Sequence, residues 1–510
     1  MDNSELNDVN KINRKDDKII ITFSVIIIFV ITIMIIVMLF IYLNGKKEKN
    51  DEILQNKLNE NSILSESKSE NSVISNEVID DDDSASIDKK YGRVEIVWID
   101  KDNNIIDEPL EPNLGDKLTA VKYSNSSYKF KTVKADEKDW YNYSNKKWAN
   151  AVDTDENYFV WIPRFAYKIT YYKDSDYKEK IGYSDGRGLL KIKDENTLTR
   201  IEKKNVGLKE TGNHYIVHPA FMKDTASGFR NGGWSDNISG FWTSKYEMSM
   251  EINGQNVVTE DKDLGNVLLS DSIKAVSKPT KSVWRNINVG NAYNVAYNFN
   301  RDLESHLTKN SEWGAIAYLS YSQYGSDGET IENNESDSYI SGNSTNELEV
   351  YNNLKKISSN LNETGVYDLS GSASEFVSAF ISNGYEKIGF YGGEGKDFLL
   401  ENISNSKYKT IYSNTQTDDG KGKFNSSFAT LNYNLNLRHR GDAIFETSNS
   451  GYGTESWNNN SSFFPQQDVP FIIRGGDFAG KQENGLFSFN YANGSFQNNQ
   501  GFRVILITDK

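Results

Sequence analysis

No cysteine occurs anywhere in the 510 residues of this chain. That absence excludes disulfides, thiolate metal sites and cysteine nucleophiles together. Only four histidines are present, His214, His218, His306 and His439, so a histidine-rich metal centre has few ligands to draw on. Cations are outnumbered as well: 57 Lys and Arg stand against 72 Asp and Glu, a net charge of −15. A nucleic-acid partner is therefore excluded, because displacing counterions from phosphates needs a basic face. Long helical periodicity is rare. The length exceeds one ordinary core, since single cores stop growing near roughly 250–300 residues, and at least two segregated parts are expected.

Uninterrupted apolar runs are short except at 19–43, IIITFSVIIIFVITIMIIVMLFIYL, which carries no charge. At about 1.5 Å per residue a helix of this length crosses a hydrocarbon core of roughly 30 Å. The run is too long for a signal peptide and no small-residue cleavage site precedes Asn44-Gly45-Lys46, so an uncleaved signal anchor is expected. Lys11, Arg14, Lys15 and Lys18 precede it, while Lys46, Lys47, Lys49 and Lys57 follow, which leaves the charge rule undecided. Orientation rests on what can fold. Residues 1–18 are too few for a domain and are expected as a cytoplasmic tail; the remainder follows the helix and is expected outside, on a single-pass anchor in the cell membrane.

Residues 44–90 are rich in Ser, Asn, Glu and Asp, with an acidic run at Asp80–Asp83 and no aromatic from Lys46 to Lys90. Such a composition buries too little surface to offset ordering entropy, and a flexible stalk is expected. From Arg93 the pattern changes, with Val94, Ile96 and Trp98 alternating against Glu95, Val97 and Ile99. That period predicts a strand, followed by a turn at Asp102-Asn103-Asn104 and another at Gly115-Asp116. A small β module at 91–135 is expected. Its opening, VEIVWIDKDNNIIDEPLEPNLGDKL, resembles the start of the mucin-binding-type repeats of Gram-positive surface proteins. Asp100, Asp102, Asn104 and Glu111 fall at calcium-loop spacing, but Ile105 stands where an EF-hand needs glycine, so a hairpin is expected instead. Glu111-Pro112-Asn113 matches a sugar-specificity triplet of calcium-dependent lectins without the companion Trp-Asn-Asp.

The remainder, 136–510, is dense in Tyr, Phe, Trp, Gly, Asn and Ser, with turn signals every few residues. It reads as an irregular α+β domain of short strands and long loops. Helices are expected at Asn288–Leu303, where Val289, Ala292, Tyr293, Ala296 and Phe299 recur at three and four residues, and at Ser311–Tyr318. In Glu312-Trp313-Gly314-Ala315 a large aromatic sits beside residues small enough for close backbone approach. Arg474 and Arg503 are candidates to bridge buried carboxylates such as Glu312 or Glu375.

Several of these segments form an ordered series. Lys278-Pro279 with 283–293, HLTKNSEW at 306–313, GVYDLSGSASEF at 365–376, RGGDF at 474–478 and the closing Gly501-Phe502-Arg503 together resemble the formylglycine-generating-enzyme (sulfatase-modifying factor) family, a variant of the C-type-lectin fold. Leu369, Ser372 and Phe376 depart from that family's Met, Asn and Trp. Segments from Tyr158, His218 and Gly240 further resemble a branch found on Gram-positive cell surfaces. The resemblance implies a lectin-like fold. It also implies an oxidase working through paired cysteines and copper, which this cysteine-free chain lacks the thiolates to perform. Related iron-dependent enzymes of the family need clustered histidines. Here His214 and His218 are spaced i and i+4, but Tyr215-Ile216-Val217 and Pro219 favour a strand over a helix. Gly392-Gly393-Glu394-Gly395-Lys396 lacks the full phosphate-loop spacing.

With no catalytic or metal residue assigned, a binding function is expected, and an Asp/Glu/His hydrolase or metal enzyme on the same fold is the alternative. Aromatic area with adaptable amides suits recognition of a protein or a glycan. The candidate ligand-binding residues are Trp457, Asn459, Phe478, Phe489, Tyr491, Asn493, Phe496 and Asn498. The competing reading makes the aromatics core and the asparagines turns. No cofactor is expected, with calcium left open. The segment between Gly475-Gly476 and Gly501-Phe502-Arg503 also resembles the variable region of retroelement-diversified lectin-fold proteins.

Overall fold

The computed structural model describes residues 92–171, 215–223, 233–381, 407–412, 441–444, 446–447, 452–453, 456–465 and 469–509. The apolar run at 19–43, the stalk at 44–90, His214, His439 and the glycine-rich 392–396 lie outside the described residues. Among those that are described, no helix is long and apolar enough to cross a membrane. The architecture is α+β, mostly sheet with few helices.

Twelve strands and two helices position the buried charges and the candidate loops. They are β1 (Gly92–Ile99), β2 (Thr119–Ser124), β3 (Lys129–Thr132), β4 (Asn150–Val152), β5 (Tyr158–Pro163), β6 (Phe165–Tyr171), β7 (Gly240–Ser244), α1 (Val289–Asn298), α2 (Asn310–Tyr321), β8 (Ser374–Ile381), β9 (Phe471–Gly475), β10 (Gly485–Ala492), β11 (Gln500–Phe502) and β12 (Val504–Leu506). One sheet runs His306–Leu307, β12, β7, β5, β4, β2, β3. A second places β8 between Thr410–Tyr412 and β9, continues through β10, and takes β11 as a further partner of β8.

Strand β1 buries Val94, Ile96 and Trp98, as the alternation predicts, and Ile99 is buried too. Its partner is β6, in antiparallel register from Gly92 opposite Tyr171 to Trp98 opposite Phe165. Strand β2 pairs with β4, and β4 with β5. The stretch expected as a module of its own at 91–135 thus shares its ladders with strands of 136–510, and both fall in one compact unit, Asp82–Lys510. After β1 the Asp100 carboxylate accepts the N–H groups of Asp102 and Asn104 at 2.9 and 2.8 Å and the Asn104 side chain at 2.9 Å. These bonds make the expected hairpin turn and occupy the Asp100 carboxylate. In the Glu111-Pro112-Asn113 triplet, Asn113 is an anchor: its side chain donates to Thr508 O and Asp509, and its carbonyl accepts from Trp242 and Thr508.

Helix α1 starts where Asn288 caps it, the side chain accepting from the Asn291 N–H at 2.8 Å, and a separate 3-10 turn covers Arg301–Leu303. Helix α2 runs longer than its sequence pattern, and all of its residues are buried. Gly314 on α2 meets the backbone of Gly441, leaving no room for a β-carbon. Close approach at this glycine is what the Trp-Gly-Ala sequence suggests.

Candidate functional site

The eight candidate residues do not form one face. Trp457 and Phe489 are fully buried. The Trp457 ring packs at 5.5 Å from Tyr321 and 5.3 Å from Phe487, and Phe489 meets Phe464 at 5.0 Å. These two belong to the core, where large aromatic area stabilises most. Asn459 is exposed in a left-handed turn at φ 59°. Asn493 makes an Asx turn, its Oδ1 accepting from the Ser495 N–H and Oγ at 3.0 and 2.8 Å. Tyr491 is half-buried, edge-on to Phe463 at 6.2 Å. Phe496 is 37 % exposed, with Lys262 Nζ 5.6 Å from its ring.

Phe478 and Asn498 are brought together through two residues that sequence reasoning missed. Phe478 sits edge-on to Tyr339 at 5.2 Å, and the Arg285 guanidinium stacks on the same tyrosine, 3.9 Å from its ring centre. Arg285 Nη1 then donates to the Asn498 carbonyl. Next to them, Asn499 donates to Asp477 at 2.6 Å. Neither Tyr339 nor Arg285 lies in a local pattern that would have marked it, because the contacts span three distant segments.

The loop that begins at Phe478 forms one wall of an open cleft of about 840 Å³. Glu332, Glu335 and Asn343 face Lys481 and Glu483 there, with Leu354 and Ile357 also lining it. Asn333 ties the walls, its amide donating to the Lys481 carbonyl while its Oδ1 accepts from Ser370 Oγ. Lys356 pairs with Glu332 at 3.2 Å on the exposed side.

A second set of ionisable groups lies inside the fold, away from that cleft. Arg503 holds Glu375, its Nη2 donating at 2.7 Å and its Nε at 3.1 Å, as the residue pairing suggested. Burial works against the guanidinium charge, yet Glu375 outweighs it and lifts Arg503 above its usual pKa. Arg474 differs: it donates to Asn310 Oδ1 at 2.9 Å and to the Asp442 and Ala443 carbonyls, and Glu312 instead meets His306 at 3.0 Å and Lys309 at 3.4 Å. Burial acts to raise Glu312, but Lys309 and the hydrogen-bonded His306 ring outweigh it and hold the carboxylate below its usual range. His218 is buried, with Nε2 2.9 Å from the Gly441 carbonyl, and burial pushes its pKa down to about 3. It is a neutral packing residue at physiological pH. Among the described residues no group of three or more His, Asp or Glu is arranged to hold a metal ion. No protein-family model matches the chain, and no curated protein matches it.

Proposed function

We propose that this chain is a membrane-anchored surface binding protein, receptor- or adhesin-like, that displays a catalytically inactive formylglycine-generating-enzyme-like, C-type-lectin-like domain beyond a flexible stalk. The charge-free run at 19–43 is the anchor in this reading, and the spacer is the acidic, aromatic-free stretch after it. The ordered series from Lys278-Pro279 to Gly501-Phe502-Arg503 supports the fold family, and the missing cysteines remove the chemistry that family would bring.

One observation carries the reading: described buried ionisable groups such as His218, His306, Glu312 and Glu375 are tied to partners inside the fold, while loops at 332–343 and 478–483 line a cleft open to solvent. Loops on a rigid scaffold are where recognition is commonly placed. A protein or glycan is the ligand class. The test is a glycan array and a whole-cell pull-down with residues 82–510, each run with calcium and with a chelator. Specific retention of a glycan or a surface protein is expected. Silence in both formats, or turnover of a glycan without retention, counts against the proposal.

A further inference from the structure

Three carboxyl groups, Glu247, Asp368 and Glu375, are enclosed with the Arg503 guanidinium, and all four side chains belong to residues 1 % exposed or less. Their support is unequal. Glu375 takes both prongs of Arg503. Asp368 accepts from Asn334 Nδ2 at 2.8 Å and from the Gly342 N–H at 3.0 Å. Glu247 has one donor, the Ala373 N–H, which reaches Oε1 at 3.2 Å. Its Oε2 is buried with no hydrogen-bond partner among the described residues, and the Ser372 hydroxyl lies beside it out of hydrogen-bonding geometry. Arg285 and Tyr339 are the other titratable groups that face Glu247.

An ionised carboxylate with a bare oxygen is costly in a dry interior. A surplus proton therefore settles on the acid whose oxygens have least support. The loop next to that acid is under constraint: Gly371 and Ser372 have φ of 79° and 58°. It also carries the Phe478 face, since Ser372 O accepts the Phe478 N–H at 2.9 Å and the Asn499 carbonyl accepts the Ser374 N–H at 2.9 Å.

We infer that Glu247 is a neutral carboxylic acid in the folded chain, and that loss of its proton releases the 369–374 loop beneath the Phe478–Tyr339 face. Burial, joined by the charges of Glu375 and Asp368, pushes Glu247 well above the usual carboxylate range. The closed loop binds the proton, and the opened loop gives the carboxyl back to water and its ordinary acidity. Between those two values opening becomes easier by about tenfold per pH unit, so the latch holds at low pH and loosens as pH rises.

Hydrogen–deuterium exchange of the full chain in detergent micelles tests this, from about pH 6.5 to about pH 8.5 with intrinsic rates corrected. Amide protection at 371–374 is expected to fall with rising pH, by up to about tenfold per pH unit, in the wild type and to stay level in Glu247→Gln, which mimics the neutral acid. Constant wild-type protection, or the same fall in the variant, overturns the inference. Should Glu247→Gln not fold, infrared spectra of the wild type decide. A protonated-carboxyl stretch that persists at a pH where a free glutamate has lost its proton supports a retained proton, and its absence there overturns it.

Discussion

Lys245 and Asn150 meet in the core, the Lys245 Nζ donating to Asn150 Oδ1 at 2.8 Å. The same amine donates to the Glu363 and Gly365 carbonyls at 2.7 and 2.8 Å, with the Phe130 and Tyr367 rings 5.0 and 5.3 Å away. Three acceptors require three N–H donors, so the group is held as an ammonium although burial pulls its pKa well below the usual value, with Glu363 opposing. One side chain thereby joins β4, the end of β7 and the approach to the 365–376 segment. Lys245→Met leaves three buried acceptors bare and is expected to cost about 3 kcal/mol, read as a lower urea midpoint at unchanged slope.

Arg503 and Glu375 are fully enclosed, so removing either partner strands the other charge. Glu375→Gln is expected to destabilise by about 3–5 kcal/mol. Arg503→Lys keeps the charge but loses the fork and the bonds to Ser244 O and Tyr367 O. Chemical denaturation of both singles and the double closes a mutant cycle, with strong coupling as the expected result.

Burial pushes Asp368 up to about 6, with Arg503, Asn334 and Gly342 pulling it back. An unfolded aspartate titrates near about 3.9. The folded form thus holds its proton more tightly, so this contribution to stability is fully present below about pH 4 and is lost as pH rises through about 6, an amount of about 3 kcal/mol. Urea midpoints measured across that window should decline with rising pH, and the decline should be shallower in Asp368→Asn, the part that remains belonging to the other buried acids such as Glu247.

Trp457 and Phe496 were alike as sequence candidates and differ in the fold, one fully buried and the other 37 % exposed. Trp457→Ala is expected to cost about 3–5 kcal/mol, whereas Phe496→Ala should stay within about 0.5 kcal/mol. Thermal melts separate the two. Only the Phe496 variant can report on ligand retention without a folding defect.

Gly314 has no space for a side chain because the Gly441 backbone crosses it. Alanine there gains helix propensity of about 1 kcal/mol on paper. The collision should reverse the sign, and Gly314→Ala is expected to melt at a lower temperature than the wild type.

Local signals in the sequence were reliable where one element carries them. The alternation of Val94, Ile96 and Trp98, the helix around Glu312-Trp313 and the small residue at Gly314 each depend on neighbours within a few positions. The site was less legible because its contacts are not local. Nothing near Tyr339 indicates that it will lie between Phe478 and Arg285. Aromatic composition likewise does not reveal which rings face inward, so Trp457 and Phe489 looked the same as Phe496. The pairing of β1 was not legible for a related reason: its partner is β6, across a sequence gap that period-two patterning does not span.

The β1–β6 ladder has a mechanical side. The described fold begins at Gly92, the first residue of β1, and seven consecutive pairs to Trp98 bind that strand in antiparallel register. Force applied along β1 at Gly92 is shared among these pairs, so the strand must slide as a block instead of peeling open one pair at a time. A load entering along the strand at Gly92 therefore meets this ladder before it reaches the loops around the cleft.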